Sequence, residues 1–368
     1  MKNFKRTWAE VDLSAIAENY DTVRKEVGSS VMVMAVVKAD AYGHGVAQVA
    51  PLLQQKGADY FGVSCLQEAV ELRKLGIQKP ILILGYTDPA FFPYLLEYDL
   101  CQTVFEKQSA ALLSEAAEQA GTRAKVHCAL DTGMGRIGFD GFDCEAAAEA
   151  ILEVSRMPAL ELEGLFTHFS VADTDGEEAY TAQQFERFMA VRDLLKKNGL
   201  SPICHVANSA GVFLNPSYHL DMVRAGIVLY GLEAGGRENP YRPAMVMKTT
   251  ISFVKDLPKG RFISYGRRFE SKDTMRVATL SAGYADGYPR SLSNKGYVLI
   301  GGKKAKILGN VCMDQMMADV SEIPCKAGDE VILMGDEIPY DALAKELGTI
   351  HYELICGIGK RVPRTYNN

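Results

Sequence analysis

Missing from the 368-residue sequence is any apolar run of the roughly 18 residues that a membrane-spanning helix needs. Missing too is the apolar core of about 7–15 residues that marks a secretory leader. Met1-Lys2-Asn3-Phe4-Lys5-Arg6-Thr7-Trp8 is basic but runs directly into an alternating, strand-like segment. The eight cysteines (65, 101, 128, 144, 204, 312, 325, 356) include no CxxC pair, in a chain too long to depend on disulfide staples, so a reducing, cytoplasmic setting is expected. There are no blocks of like charge. The net charge of -6 is spread along the chain, which gives nucleic acid or an anionic membrane nothing to grip and leaves a small molecule as the expected partner. Internal repeats and low-complexity tracts are absent as well. What is present is 48% hydrophobic and 23% charged residues, the balance of a soluble globular protein.

The length exceeds one ordinary domain, although a (β/α)8 barrel alone takes about 250 residues. From residue 31 to about 230, short apolar runs alternate with helical-period stretches such as Cys65–Leu75 and Thr181–Lys197. Eight strands are expected: Val31 to Val37, Tyr60 to Val63, Ile81 to Leu84, Gln102 to Val104, Lys125 to Leu130, Leu160 to Phe166, Pro202 to Val206 and Met222 to Leu229. Eight βα units favour an α/β fold of the (β/α)8, TIM-like type over a doubly wound open sheet, which usually has fewer. After Glu238-Asn239-Pro240-Tyr241-Arg242-Pro243, of linker composition, the pattern turns to strands with Gly-rich turns. These are Met245–Val254, Met275–Leu280, Gly296–Ile300, Lys304–Ile307 and Glu330–Met334, with one clear helix, Tyr340–Leu347. The expected domains are a barrel over 1–240 and a mainly β domain over 241–368.

Barrel enzymes work at the C-terminal ends of their strands, so the polar residues following each apolar run carry the interest. The first run ends in Val36-Val37-Lys38-Ala39-Asp40-Ala41-Tyr42-Gly43-His44-Gly45. A partly desolvated lysine there has a lowered pKa and can form a Schiff base with an aldehyde cofactor; an arbitrary lysine at a strand end simply reaches for solvent. The segment resembles the pyridoxal-phosphate attachment motif of the alanine racemase family, and the similarity continues at intervals from Ala9 to Arg364. That resemblance implies pyridoxal 5'-phosphate as cofactor, Lys38 as its covalent anchor and Tyr42 as a phosphate contact.

Further strand ends resemble the family in the same way. His205-Val206-Ala207-Asn208-Ser209-Ala210 and Val223-Arg224-Ala225-Gly226-Ile227 follow the seventh and eighth runs, where barrels commonly bind phosphate. The resemblance implies that Asn208, Ser209 and the N–H groups of Gly226 and Ile227 hold the cofactor, with Arg224 facing its ring nitrogen. A guanidinium cannot protonate that nitrogen, which favours proton exchange at Cα over transamination. His168, in Phe166-Thr167-His168-Phe169, is implied as part of a hydrogen-bond relay. Asp131-Thr132-Gly133-Met134-Gly135-Arg136-Ile137-Gly138 also satisfies GxGxxG, but the glycines sit mid-chain and open no helix, so a dinucleotide site is not expected. By resemblance Arg136 binds the substrate carboxylate. Many relatives carry a carbamylated lysine seven residues earlier; Ala129 stands here, and a chloride or a water is expected in its place.

Racemisation needs proton transfer on both faces of Cα, so a second base must oppose Lys38. Ile263-Ser264-Tyr265-Gly266-Arg267 resembles the family segment bearing that base, Tyr265. Ala282-Gly283-Tyr284-Ala285-Asp286-Gly287-Tyr288 resembles the entry channel, and Asn310-Val311-Cys312-Met313-Asp314-Gln315 the segment whose Met313 and Asp314 contact substrate. Lys360 stands where some relatives place a phosphate-contacting tyrosine. The resemblance implies a head-to-tail homodimer with shared sites and no metal. Serine is the nearest competing substrate, since an apolar pocket excludes an added hydroxyl poorly. A noncatalytic pyridoxal-phosphate-binding barrel would lack the β domain, and a barrel decarboxylase would want an acid where Arg224 stands.

Overall fold

The computed structural model describes residues 6–232 and 240–367, and it divides into two compact units. One comprises residues 16–41 and 45–242, the other residues 6–15, 42–44 and 243–367. The opening strand β1 (Thr7–Asp12) lies in the second unit. Eight strands then build the first: β2 (Met32–Val36), β3 (Tyr60–Val63), β4 (Ile81–Ile83), β5 (Cys101–Val104), β6 (Ala124–Asp131), β7 (Leu160–Phe166), β8 (Ile203–His205) and β9 (Met222–Ala225). All neighbours pair in parallel, in the order β9-β2-β3-β4-β5-β6-β7-β8. Asp221 N–H to Cys204 O at 3.1 Å and Arg224 N–H to Ala207 O at 3.0 Å bring the last two strands together, so the sheet is a nearly closed barrel. Its strands are short runs of Val, Ile, Leu, Ala and Phe because both faces are covered. The surrounding helices show the matching spacing: Glu178–Lys197 buries Thr181, Gln184, Phe188, Val191 and Leu195.

All eight expected strands are present, with ends shifted by a residue or two. The exception is the last, which stops at Ala225 rather than Leu229. Gly226, at φ -112 and ψ -104, turns the chain into a 3-10 turn over Ile227–Tyr230, and the apolar run continues buried but no longer extended.

Past β2 the backbone does something no residue there announces. Ala39, Asp40, Ala41 and Tyr42 all have φ between 52 and 54, a turn of left-handed helix made without glycine. Each such residue costs about 1–2 kcal/mol, because Cβ crowds the following carbonyl. Main-chain bonds offset that cost at both ends: Ala41 N–H to Val37 O, Gly45 N–H to Asp40 O, and Val46 N–H to the Asp40 carboxylate at 2.7 Å. Glu68 clamps the start, accepting from Ala39 N–H at 2.7 Å and from the Ser64 N–H and hydroxyl.

In the second unit β10 (Met245–Leu257), β11 (Met275–Leu280), β12 (Tyr297–Ile300), β13 (Lys303–Leu308), β14 (Met316–Asp319) and β15 (Glu330–Met334) pair antiparallel around a closed ring, β10-β11-β14-β13-β12-β15-β10. β1 adds to β10, and β16 (Arg364–Asn367) adds parallel to β1. The expected barrel domain of 1–240 is corrected at its start. Residues 7–12 complete the second sheet, because the alternation that marks them as a strand carries no information on which sheet accepts them. The helix at Tyr340–Leu347 is joined by a short one at His351–Cys356. Of the expected linker, Glu238 and Asn239 lie outside the described residues. All eight cysteines are free, and no helix among the described residues is long and apolar enough to cross a membrane.

Glu68→Ala removes a charged acceptor from two main-chain N–H groups, and such bonds contribute about 2 kcal/mol. Urea titration of the cofactor-free protein should show a loss of that order; an unchanged midpoint would mean that Glu68 does not support the turn.

Candidate active site

At the C-terminal mouth of the barrel the sequence places Lys38 two residues past β2, where the left-handed turn begins. Arg224, on β9, is 4% exposed and surrounded by acceptors. Its Nη1 donates to His205 Nδ1 and His205 O, both at 2.8 Å. Its Nη2 donates to Thr167 O at 2.7 Å, Val206 O at 2.9 Å and His168 Nδ1 at 3.3 Å. The Nε–H has no acceptor among the described residues. That donor suits the unprotonated nitrogen of a pyridine ring. Burial, followed by the charge of Arg136, pushes Arg224 down to about 9, which leaves it a cation at neutral pH.

His168 is held well below its usual pKa by burial, then by Arg224, Arg136 and Lys38, so the imidazole is neutral with three cations around it. Such a cluster favours anions and neutral acceptors. Arg136 is exposed in the loop after β6, whose Asp131 carboxylate accepts from Gly133 and Gly135 N–H at 3.0 Å. Gly138 is needed there: a Cβ would come within 2.3 Å of Asp131 N.

A cradle for phosphate follows β8 and β9. Asn208 caps the turn Ser209–Leu214 through Gly211 N–H at 3.0 Å, and Ser209 Oγ accepts from Gly226 N–H at 3.0 Å. Ile227 opens a 3-10 turn, so its N–H has no acceptor within that turn. Lys38, Arg136, His168, Asn208, Ser209, Arg224, Gly226 and Ile227 are thus gathered at one mouth of the first unit, and the set fits pyridoxal phosphate in amine, ring-nitrogen donor and phosphate donors.

The second unit holds the remaining candidates. Tyr265 opens a 3-10 turn and is 73% exposed. Ser264, at φ 68, donates its hydroxyl to Asn310 O at 2.6 Å, while Asn310 Nδ2 donates to Tyr265 O at 2.8 Å. These bonds fasten the tyrosine turn to the Cys312–Gln315 loop, and together they line a groove of about 580 Å³ that includes Met313 and Asp314. Tyr284 N–H bonds Cys312 O at 3.0 Å, which sets the third segment beside them. Tyr42, 7% exposed, stands 6.2 Å from the Tyr352 ring, and Lys360 is exposed near the chain's end.

Sequence reasoning missed Asp286. It is fully buried, accepts from Arg6 at 2.8 and 3.1 Å, from Arg361 Nε at 2.8 Å and from Gly283 N–H at 2.9 Å. Burial raises its pKa, but the two arginines more than offset that and hold the carboxyl below its usual range. Arg361 also pairs with the Asp314 carboxylate at 2.7 Å, and Arg6 donates to Asp314 O at 2.8 Å, so Asp286 anchors the Cys312–Gln315 loop through both arginines. Its only signal was an acidic residue inside an aromatic, glycine-bounded segment.

Comparison with known proteins identifies the family. Residues 11–234 match the family model described as alanine racemase, N-terminal domain, and residues 244–366 match alanine racemase, C-terminal domain. An alanine racemase of Clostridium perfringens is 44% identical, covering 98% of this chain and 95% of the relative. Another of Desulforamulus reducens is 45% identical, covering 98% of each. The solved alanine racemase of Clostridium difficile 630 superposes with a TM-score of 0.95 at 38% identity, over 100% of this chain and 97% of that one. That of Bacillus anthracis, determined with bound L-Ala-P, gives 0.92 at 35%, over 100% and 96%. Two matched domains and full-length relatives at this identity establish that the chain belongs to the alanine racemase family.

Proposed function

We propose that the protein interconverts L-alanine and D-alanine with pyridoxal 5'-phosphate, by two bases on opposite faces of Cα. The observation that carries this is Arg224: a buried guanidinium with its Nε–H unshared, beside Lys38 and a neutral His168. Pyridoxal phosphate, when bound, supplies an aldehyde for the amine and a ring that withdraws electrons from Cα.

The chain's own groups do the rest. Lys38 would hold the cofactor and would exchange a proton with Cα on one face, acting on the D-enantiomer. Tyr265 serves the other face and acts on the L-enantiomer. A free tyrosine has a pKa of about 10, so it needs positive charge nearby, which Arg136 and the relay of His168 and Arg224 would supply. Arg136 binds the substrate carboxylate, assisted by Met313 and Asp314, with Tyr284 at the entrance. Ser209, the N–H groups of Gly226 and Ile227, Tyr42 and Lys360 hold the phosphate, and Asn208 shapes the cradle. Since Arg224 remains a cation that donates to the ring nitrogen without protonating it, exchange at Cα is favoured over transamination.

Tyr265 belongs to the second unit and projects into solvent, which supports a homodimer in which each tyrosine serves its partner's barrel. The composition and the free cysteines support a cytoplasmic enzyme that makes D-alanine as a cell-wall precursor. A serine or broader racemase on the same scaffold is the second reading, and parallel assays on L-alanine and L-serine by loss of optical rotation distinguish them.

Lys38→Ala should abolish the absorbance band near the visible–ultraviolet border that the cofactor gains on attachment; a persisting band would place the anchor elsewhere. Tyr265→Phe should slow racemisation of L-alanine by about 10²–10⁴-fold, the usual contribution of one positioned base. A loss under threefold would remove it from that role. Ala129 leaves Arg136 with no carboxylate partner among the described residues, so chloride should raise kcat relative to a chloride-free gluconate buffer; equal rates would argue for water there.

A further inference from the structure

Beneath the cofactor mouth a second polar cluster occupies the barrel interior. His205 Nε2 lies 2.8 Å from His127 Nδ1, and His127 Nε2 faces Glu163 Oε2 at 3.5 Å. Tyr60 donates its hydroxyl to the same carboxylate at 2.5 Å. Both imidazoles are fully buried. The site is built for them: a Cβ on Gly164 would come within 2.2 Å of the His127 ring, so only glycine leaves it room. The register between β6 and β7 slips between Val126 and His127, which leaves Glu163 as the extra residue of a bulge and re-aims its side chain.

Cys101 Sγ, a His127 ring nitrogen and a Glu163 oxygen lie within 4.8 Å of one another, a spacing that could hold a metal ion. The direction of the hydrogen bonds argues against one. Arginine is a donor only, so His205 Nδ1 must accept from Arg224, and His205 carries its proton on Nε2. That proton is donated to His127 Nδ1, and His127 in turn carries its own proton on Nε2, pointed at Glu163. The lone pair a metal would need is already protonated. Burial, followed by Glu163, pushes the Cys101 thiol up, so it too stays protonated.

The same column of groups, whose last step is a 3.5 Å approach of His127 Nε2 to Glu163 rather than a hydrogen bond, bears on an imbalance at Arg224. Its five acceptors are three carbonyls and two imidazole nitrogens, and none is a carboxylate. A buried cation without a counter-charge is costly. Burial raises Glu163, but the facing His127 and Tyr60 and the charge of Lys125 hold it below the usual carboxylate range, so it is an anion. Both histidines are kept neutral, by burial first.

We propose that Glu163 is a positioning residue for racemisation: it acts through His127 and His205, fixing the tautomer of both imidazoles and serving as the counter-charge of Arg224. The carboxylate, at the far end of this column, keeps Arg224 oriented and cationic where its free Nε–H is needed. This rests on the racemase reading above.

The test uses the full chain and its Glu163→Gln and Glu163→Asp variants. In the cofactor-free wild type, 15N-histidine NMR should show His127 and His205 both protonated on Nε2. In the holoenzyme, Glu163→Gln, which keeps size and removes charge, should lower kcat for L-alanine about tenfold with KM within twofold, and Glu163→Asp should recover at least half of the loss. His127 protonated on Nδ1, zinc bound tightly by the wild type but not by His127→Gln, or a Glu163→Gln kcat within twofold of wild type would each overturn the proposal. Equal damage by Gln and Asp would also overturn it, since packing and not charge would then be at stake. Wild-type protein that racemises neither alanine nor serine would defeat the racemase reading, while the tautomer measurement would still report on the column.

Discussion

The fold of the first unit and its chemistry meet in one buried guanidinium. Arg224 sits on the last barrel strand and binds carbonyls or imidazoles contributed by the ends of β7 and β8 as well. The barrel does not close by a regular ladder between β8 and β9, so these bonds, two main-chain contacts and the Asp221 carboxylate on Cys204 N–H are what link those two strands. The same arrangement fixes a cation, a neutral His168 and one unshared donor at the mouth. Removing the guanidinium would take away the side-chain links among the ends of β7, β8 and β9 together with the unshared donor; replacing it with lysine would lose the forked geometry that reaches several acceptors at once.

Within each unit the candidate groups sit on strained or tightly stapled backbone. Lys38 opens a left-handed turn whose four positive φ values persist because Glu68, Asp40 and Val37 satisfy the main chain. Tyr265 follows Ser264, also at positive φ, and is fastened through Asn310. Asp286 holds the Met313–Asp314 loop by way of two arginines. In each case a rigid support holds a candidate group that is at least partly exposed, the positional precision that proton transfer at Cα would demand.

Much of this was legible in the sequence, for identifiable reasons. The eight barrel strands announce themselves because a buried parallel strand is a short continuous apolar run, and β11 and β15 were expected at their observed bounds. Lys38, His168 and Arg224 lie at strand ends, but it was the resemblance of their segments to the alanine racemase family that singled them out. The left-handed turn was not legible, since Ala-Asp-Ala-Tyr carries no glycine to signal positive φ. The placement of β1 was hidden because alternation marks a strand without naming its sheet. Glu68, Asp286 and Glu163 were missed for one shared reason: each has at least one decisive partner well separated along the chain, and Glu163 in Leu160-Glu161-Leu162-Glu163 has the alternation of a solvent-facing residue until a bulge turns it inward.

The proposed chemistry requires a ring nitrogen that accepts a hydrogen bond from Arg224 and carries no proton of its own. The direct test is the 15N chemical shift of pyridoxal phosphate labelled at that nitrogen and bound to the protein near neutral pH. The predicted signal is that of an unprotonated, hydrogen-bonded pyridine, shifted on replacing Arg224; a pyridinium signal, with the proton on the ring, would contradict it.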